Sequence, residues 1–304
     1  MIQSITAAAY IEMIKSGAAL LERNKQFVNE LNVFPVPDGD TGTNMSMTIN
    51  AGVTALTQKS PDTITAAADC AAGALLRGAR GNSGVILSLL FRGMSKALKG
   101  VETMTVADFS AALTEGVTAA YKAVMRPTEG TILTVSRLIA ESAAGYAGNG
   151  EDFEELFSLI LPVGGEALKG TTEQNPVLKK AGVVDSGGQG YLFLLQGMYS
   201  CLMGDPVTTE GIEEKGSDRA DFAAFKDEDI TYTYCTEFIV SHPRPDLRED
   251  EVARLRRRLE RIGDCVLVIA DMNVVKVHVH TNEPGKALQY ALELGELDSI
   301  KIDN

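Results

Sequence analysis

The first two thirds of the chain carry apolar residues at helical spacing. From residue 1 to residue 204 the sequence is rich in alanine, leucine, glycine and methionine, and apolar residues recur three or four positions apart. The first such stripe comprises Tyr10, Ile14, Gly17, Leu21 and Val28. Further helical stretches cover approximately 44–56, 63–76, 83–98, 106–125, 131–144, 152–168 and 188–203. About eight helices joined by short loops predict an all-helical bundle.

The pattern changes after residue 204. Residues 205–229 are acidic, poor in large apolar side chains and punctuated by glycine and proline, which predicts a linker. Beyond it, the segments ITYTYCTEFIV, DCVLVIAD and VVKVHVHT alternate or are β-branched as strands are, and helical stretches accompany them. The sequence therefore predicts an α+β multidomain chain in which residues 230–304 form a small α/β domain. We expect this domain to be truncated, because the chain stops soon after a helical stretch.

Charge and composition narrow the function. The chain of 304 residues has a formal net charge of −13, which argues against a protein that binds nucleic acid or an anionic membrane, since both need a basic surface. It has no apolar window of about 18 residues and no signal peptide, so we expect no membrane insertion. Its four cysteines include no CxxC pair, which fits reduced thiols. We therefore expect a cytoplasmic protein that acts on small molecules or protein partners.

The stretch NVFPVPDGDTGTNM holds two aspartates one residue apart, between prolines and glycines. The prolines stiffen the approach to the loop, and Thr43 is expected to cap the helix that follows. Asp38 and Asp40 repel one another unless a cation neutralises them. Magnesium fits better than calcium, because the loop lacks the glycine and glutamate of an EF-hand. An Asx-turn before a helix cap explains this loop equally well by itself.

Two other glycine-rich loops favour a phosphate ligand. RGARGNSGVI and VVDSGGQGYLF each precede a helical stretch, where unhindered N–H groups form an anion site. The residues concerned are Gly81, Asn82, Ser83 and Gly84 in one loop and Asp185, Ser186, Gly187 and Gly188 in the other. Each loop alone is more often a plain turn. Three such loops in one bundle, one of them with paired aspartates, favour a Mg-nucleotide site.

Other chemistries lack necessary residues. No GxxxxGK[ST] occurs, so the chain is not a P-loop protein. Neither Ser83 nor Ser186 lies in G-x-S-x-G. All three histidines lie in the second domain, which excludes a Ser-His-Asp triad within the bundle.

Four motifs in order resemble a known family. LNVFPVPDGDTGTNM, GARGNSGVILS, EGTILTV and VVDSGGQGYLFLLQGM are similar to the nucleotide-binding domain of DhaL-type dihydroxyacetone kinases. The similarity is greatest to the ATP-binding subunits (FakA) of bacterial fatty acid kinases. YTYCTEFIV and VKVHVHTNEPG resemble the middle domain of those subunits, so the resemblance covers essentially the whole chain.

The resemblance implies an eight-helix antiparallel barrel over residues 1–204 that binds Mg2+ and ATP or ADP at one end. Asp38 and Asp40 would be the catalytic magnesium ligands, and the nucleotide would lie against loops 81–84 and 185–187. Further nucleotide contacts are expected at Asn32, Thr41, Asn44 and Thr131. DhaL-type proteins carry a third aspartate near the position of Asn32, so the third magnesium ligand stays open. They commonly have histidine where this chain has Thr41, which argues against dihydroxyacetone as the substrate.

The resemblance also implies an activity. A fatty acid kinase subunit transfers the γ-phosphoryl group of ATP to the carboxylate of a fatty acid presented by a DegV-type carrier protein (FakB). The product is an acyl phosphate for phospholipid synthesis, and the expected assembly is a homodimer. Two alternatives stay open: a dihydroxyacetone-kinase-like subunit for a small hydroxyketone, and a non-catalytic Mg-nucleotide-binding regulatory module.

The second domain carries a candidate metal site. His278 and His280 lie two apart on a predicted strand, so both imidazoles project to the same face. If a strand containing Cys235 pairs with it, a Cys-His-His cluster suited to zinc results. A bare HxH is more often a pair on a sheet surface, but the corresponding residues of the similar middle domain bind a metal, which favours Zn2+. Glu237, Asp271 and Thr281 are candidate neighbours.

Overall fold

The computed structural model describes residues 1–124, 127–209, 231–271 and 274–304. In the first part of the chain, these ranges contain ten helices and a short antiparallel ribbon. The helices are α1 (Ala7–Arg23), α2 (Lys25–Glu30), α3 (Thr41–Lys59), α4 (Ile64–Gly78), α5 (Gly81–Ala97), α6 (Val106–Ala123), α7 (Ile132–Ala147), α8 (Phe153–Gln174), α9 (Pro176–Ala181) and α10 (Ser186–Leu202); the ribbon pairs β1 (Ser4–Ile5) with β2 (Met104–Thr105). Most of the predicted linker, from residue 210 onward, lies outside the described residues.

Local sequence explains where the long helices begin and which face they bury. Threonine and aspartate side chains accept first-turn N–H groups at several helix starts. These caps are Thr6, Thr63, Thr105, Thr131, Asp152 and Asp185. The predicted first stripe is buried on α1 and α2, where Tyr10, Ile14, Leu21 and Val28 have no exposed surface. No helix in the described part of the chain is long and apolar enough to cross a membrane.

The eight long helices pack on one another in chain order. Each contacts the next long helix along the chain, and α10 returns to contact α1. Short loops make consecutive helices antiparallel, so every second long helix begins at the same end of the domain. Helices α3, α5, α7 and α10 are the set whose first turns meet there. The helical bundle is confirmed, and the closed barrel stays a prediction.

The second domain is a four-stranded antiparallel sheet with two helices on one face. Its elements are β3 (Tyr234–Pro243), α11 (Glu249–Leu259), β4 (Gly263–Asp271), β5 (Val274–Thr281), α12 (Pro284–Leu292) and β6 (Gly295–Asp303), and the strand order is β4-β5-β3-β6. Sequence analysis did not predict β6, because this edge strand is largely exposed and lacks the apolar alternation of the other three.

The sheet uses its two faces differently. On β5, Val275, Val277 and Val279 belong to the core beneath α11 and α12. On β4, Leu267 and Ile269 point the other way and join the core of the helical domain. The outer face of the sheet is therefore packed against the helices, which brings the alternate residues of β3 and β5 to the boundary between the domains.

Candidate nucleotide and metal site

The first turns of three helices meet at Thr41. This threonine opens α3, and its hydroxyl oxygen accepts hydrogen bonds from Ser83 Oγ at 3.5 Å and Ser186 Oγ at 3.2 Å. Ser83 lies in the first turn of α5, and Ser186 opens α10. The aspartate loop and both glycine-rich loops are thus brought together. The positive ends of three helix dipoles face the same space.

Asp185 adds the fourth helix. It caps α10 by accepting the Gly188 N–H at 2.7 Å, and it also accepts the N–H of Ile132, the first residue of α7. Its side chain is buried, and this burial raises the pKa of the Asp185 carboxyl to about 6, even though both hydrogen bonds act to lower it. Thr131, at the N-cap of α7, accepts the Leu133 N–H at 3.3 Å. Asp185 therefore joins the starts of α7 and α10.

Asn32 holds the aspartate loop from below. Its Nδ2 donates to the Val36 carbonyl at 2.6 Å, and its Oδ1 accepts from both the backbone N–H and the hydroxyl of Thr41. The residue is buried, with 2% of its surface exposed. These bonds close the loop over the first turn of α3. The loop thereby holds its two aspartates at the helix start.

The predicted cap of α3 is wrong. The helix begins at Thr41 and not near residue 44, so Thr43 lies inside its first turn. The Thr43 N–H is instead accepted by Asn29 Oδ1 at 3.0 Å, and Asn29 Nδ2 donates to the Thr43 hydroxyl at 3.0 Å. A side chain from α2 therefore supplies this cap, which local sequence does not reveal.

Asp38 and Asp40 form a hydrogen-bonded carboxyl pair. Asp38 is open to the space between the domains but partly removed from bulk water. This desolvation, together with the charge of Asp40 and the hydrogen bond between the two carboxyls, raises the pKa of Asp38 to about 7. Two acidic groups that compete for one proton near neutral pH form a donor set that suits a divalent cation. The residues present therefore fit magnesium.

Two adjoining cavities lie between the domains. The first, of about 560 Å3, has an apolar side and receives the starts of α7 and α10. The second, of about 350 Å3, contains the aspartate pair, Asn44, Gly81 and the polar face of β3 and β5. Residues common to both cavities are Pro35, Thr41, Asn82, Ser83 and Tyr232. The shared residues include the first turns of α3 and α5, so a single extended ligand can contact both cavities.

The two glycines of the α5 loop have different roles. Gly81 has φ +58°, and a Cβ there would lie 2.4 Å from Asn44 Nδ2, so glycine lets α5 start close against α3. Gly84 was predicted to bind nucleotide, but it lines neither cavity. A Cβ at Gly84 would lie 2.3 Å from Thr48 Oγ1. Because Thr48 accepts the Arg80 N–H, Gly84 is a packing residue and its predicted role is corrected.

The predicted Cys-His-His cluster is assembled by strand pairing. β3 and β5 are antiparallel, with Cys235 opposite His280 and Glu237 opposite His278. One ligand atom from each of Cys235, His278 and His280 lies within 4.8 Å of the others. His278 Nε2 is buried and has no hydrogen-bond partner among the described residues. These donors fit Zn2+, which accepts thiolate and imidazole ligands.

Burial controls the charge state of the cluster. It lowers the pKa of His280 to about 3, with the nearby His278 acting in the same direction, so His280 is a neutral imidazole. Burial and the charge of Glu237 raise the pKa of Cys235 to about 12. A bound metal would therefore have to displace a proton from this thiol.

Of the three candidate neighbours, only Glu237 contacts the cluster. Its Oε1 lies 2.9 Å from His278 Nδ1. Thr281 donates its hydroxyl to the Ile262 carbonyl at 2.7 Å, and Asp271 lies 3.5 Å from Arg92 in an ion pair between the domains.

Sequence analysis missed Cys265 as a residue of this region. Cys265 has φ +49° and lies in β4, where the pairing register shifts between Asp264 and Leu267. Its thiol is hydrogen-bonded to Asn82, the residue after Gly81 in the α5 loop. A β-bulge of this kind leaves no clear local signal, because it depends on pairing with β5.

Comparison with known proteins identifies the family. Residues 35–200 match the DAK2 domain. The chain belongs to the DAK2 domain family. Residues 231–304 match a second family description, the FakA-like middle domain of fatty acid kinases.

Relatives of this DAK2 family protein extend over the whole chain. Protein YloV of Bacillus subtilis (strain 168) is 42% identical over 310 residues, and an uncharacterised protein of Staphylococcus saprophyticus is 41% identical over 309 residues. Each match covers 100% of this chain and 56% of the relative. The chain therefore spans about half the length of the curated relatives that it matches.

A solved structure shares the fold of the DAK2 region. The dihydroxyacetone kinase from C. freundii in complex with AMP-PNP and Mg2+ matches with a TM-score of 0.50 and 16% identity, covering 66% of this chain and 35% of that chain. Family and fold together support a kinase-related nucleotide-binding subunit.

The buried Asp185 makes stability depend on pH. Its pKa is raised from an ordinary value of 3.8 to about 6, so its contribution to folding is largest below 3.8 and is lost as the pH rises through 6. Asp185→Asn has no such dependence. We expect the free energy of unfolding of the wild type, minus that of the variant, to fall by about 2 kcal/mol between pH 4.5 and 7.5. Urea unfolding at both pH values measures this difference, and a pH-independent difference would contradict the assignment.

Proposed function

We propose that the chain is the ATP-binding part of a fatty acid kinase. It binds Mg-ATP and transfers the γ-phosphoryl group to the carboxylate of a fatty acid that a DegV-type carrier protein presents. The observation that carries this proposal is the second cavity, into which both the aspartate pair and the Cys-His-His cluster open. One cavity thus contains groups suited to the phosphoryl donor and groups suited to an anionic acceptor.

In this proposal the nucleotide extends from the first cavity to the second. Ile86, Leu133 and Leu267 provide apolar surface for the base. The phosphates lie at the shared residues, where the first-turn N–H groups of Asn82 and Ser83 are donors for their oxygens. Thr41, Asn44, Ser186 and Gly187 border the same path.

Asp38 and Asp40 would hold Mg2+, which neutralises phosphate charge when bound. The protein's own contribution is to fix this carboxyl pair through Asn32 and to place helix N-termini beside the phosphates. Phosphoryl transfer depends mainly on such positioning and charge stabilisation. No side-chain nucleophile of the chain is required.

A carboxylate acceptor fits the second cavity. Transfer breaks the bond between the γ-phosphorus and the bridging oxygen and forms one between that phosphorus and a carboxylate oxygen, and ADP leaves. No proton has to be removed from the acceptor, in contrast to a hydroxyl. Cys235, His278 and His280 would hold Zn2+, which offers an open coordination position to the carboxylate when bound. Lys301 also lines this cavity and carries a positive charge toward it.

The lining of the second cavity supports a separate carrier for the acyl chain. Apart from a few loop residues such as Pro35 and Val36, the described residues around it are polar or charged, which does not suit a hydrocarbon chain. Presentation by a DegV-type protein answers that need. The same proposal includes a cytoplasmic homodimer, on the basis of the family resemblance.

The activity is tested by ATP consumption with and without a DegV-type protein loaded with fatty acid. We expect ADP to form only with the loaded protein, and hydroxylamine to trap the acyl phosphate as a hydroxamate. Dihydroxyacetone serves as the alternative acceptor. ADP formation with dihydroxyacetone alone would favour the hydroxyketone kinase, and nucleotide binding without turnover under any condition would favour a regulatory module.

The magnesium assignment is tested at the carboxyl pair. Asp38→Ala and Asp40→Ala should each weaken Mg-ATP binding at least about tenfold, a loss of about 1.4 kcal/mol, because each removes a ligand of the ion. The fold should be preserved, since these loop carboxyls are outside the core. Calorimetric titration measures the affinity, with the exposed Asp62→Ala as the matched control. Wild-type affinity in both variants would refute the assignment.

The zinc assignment predicts about one zinc ion per chain. Elemental analysis of tag-free protein should find this ratio, and it should fall sharply in His278→Ala and Cys235→Ala. The exposed His242→Ala is the control, because His242 lies in the same domain and pairs only with surface Glu296. Zinc-free wild type, or full retention in Cys235→Ala, would exclude the cluster as a metal site.

A further inference from the structure

Glu237 connects the second domain to the start of α5. Its Oε1 accepts the backbone N–H of Gly81 at 2.6 Å and lies 2.9 Å from His278 Nδ1. The side chain has only 1% of its surface exposed. A buried carboxylate of β3 is thus shared between the phosphate loop of one domain and the metal cluster of the other.

The contact with Gly81 determines which N–H groups of α5 remain for a ligand. The first N–H groups of a helix have no partner inside the helix. Glu237 takes the N–H of Gly81, the first residue of α5, and so satisfies one of them. The N–H groups of Asn82 and Ser83 follow, and both residues border the two cavities. Glu237 therefore fixes the orientation of the turn whose next N–H groups face the ligand space.

The contact with His278 determines which ring nitrogen is available to a metal. A metal-binding histidine commonly donates its other ring N–H to a carboxylate, which fixes the tautomer and the ring orientation. With Nδ1 directed at Glu237, the buried and unpartnered Nε2 is the nitrogen left for a metal. The same carboxylate oxygen thereby orients both the metal ligand and the phosphate loop.

Positive side chains from both domains hold Glu237 ionised. Its Oε2 lies 3.8 Å from Lys276 Nζ and 3.9 Å from Arg80 Nη1. Burial alone raises the pKa of Glu237, but the His278 contact, Lys276 and the Gly81 N–H outweigh it and lower the pKa to about 2. Lys276 is as buried as Glu237, so each ion compensates the other.

We propose that Glu237 is a positioning residue through which a metal at Cys235, His278 and His280 and a nucleotide at the α5 loop strengthen each other's binding. The identity of the two ligands rests on the proposed function. A metal that fixes the His278 ring also fixes the carboxylate and, through it, the Gly81 turn. Linkage requires the effect to be reciprocal, so a nucleotide that orders the turn tightens metal binding by the same factor.

The experiment measures Mg-ADP affinity by calorimetry in metal-stripped protein and in protein reloaded with Zn2+, with Mg2+ in excess. In the wild type we expect reloading to tighten Mg-ADP binding at least about fivefold. In Glu237→Gln the ratio should fall below about twofold, because the amide lacks the charge that strengthens both hydrogen bonds. Any effect of the ion's charge acting through space survives in this variant and is measured there.

A spectroscopic titration separates coupling from loss of the metal site. Co2+ bound to a thiolate gives a charge-transfer band, and Glu237→Gln should still develop it because Cys235, His278 and His280 are unchanged. Adding Mg-ADP should tighten Co2+ binding in the wild type and not in the variant. Glu296→Gln, an exposed change on β6, should behave as the wild type.

The buried partner of Glu237 requires a second variant. If Glu237→Gln unfolds because Lys276 is left without a counter-charge, Glu237→Gln/Lys276→Met removes both ions and should fold while lacking the coupling. Wild-type coupling in either folded variant, or independent binding of both ligands to the wild type, would overturn the inference alone. Failure of the wild type to bind either ligand would overturn the proposed function and this inference together.

Discussion

Four helices begin at one end of the helical domain, and the hydrogen-bonding needs of their first turns organise the region around it. Unpaired N–H groups cannot be buried without cost. Here different parts of the chain satisfy them: Asn29 from α2 serves α3, Asp185 serves both α7 and α10, and Glu237 from the second domain serves α5. The N–H groups not satisfied in this way surround the first and second cavities. The candidate site is therefore the part of the helix ends that the protein leaves for a ligand.

The two domains contribute different chemistry to this region. The helical domain provides a carboxyl pair and backbone donors, which suit a magnesium-bound polyphosphate. The sheet provides imidazole, thiol and ammonium groups on strands whose pairing fixes their separation. Neither set closes the second cavity alone. Contacts such as Arg92 Nη2 to the Ala270 carbonyl at 2.6 Å hold the domains together at its edge.

Sequence reasoning succeeded where a periodic pattern decides the structure. Helical spacing predicts the eight long helices, and the two-residue period of VKVHVHT predicts that His278 and His280 share a face. It failed where a distant residue decides. Thr43 resembles a helix cap, but Asn29 provides the cap; Gly84 resembles a phosphate-loop glycine, but Thr48 of α3 packs against it. The Cys265 bulge depends on the pairing of two strands, and β6 has too little apolar alternation to be recognised.

The sharing of β5 between a hydrophobic core and a polar site constrains how this strand can evolve. Its valines pack under α11 and α12, while the residues between them carry the lysine and both histidines. Individual positions can change size or polarity and leave their neighbours in place. Insertion or deletion of one residue within β5 would exchange the two faces beyond that point, exposing the core and burying the charged groups together. Descendants of this domain are therefore expected to vary this strand by substitution and to conserve its length.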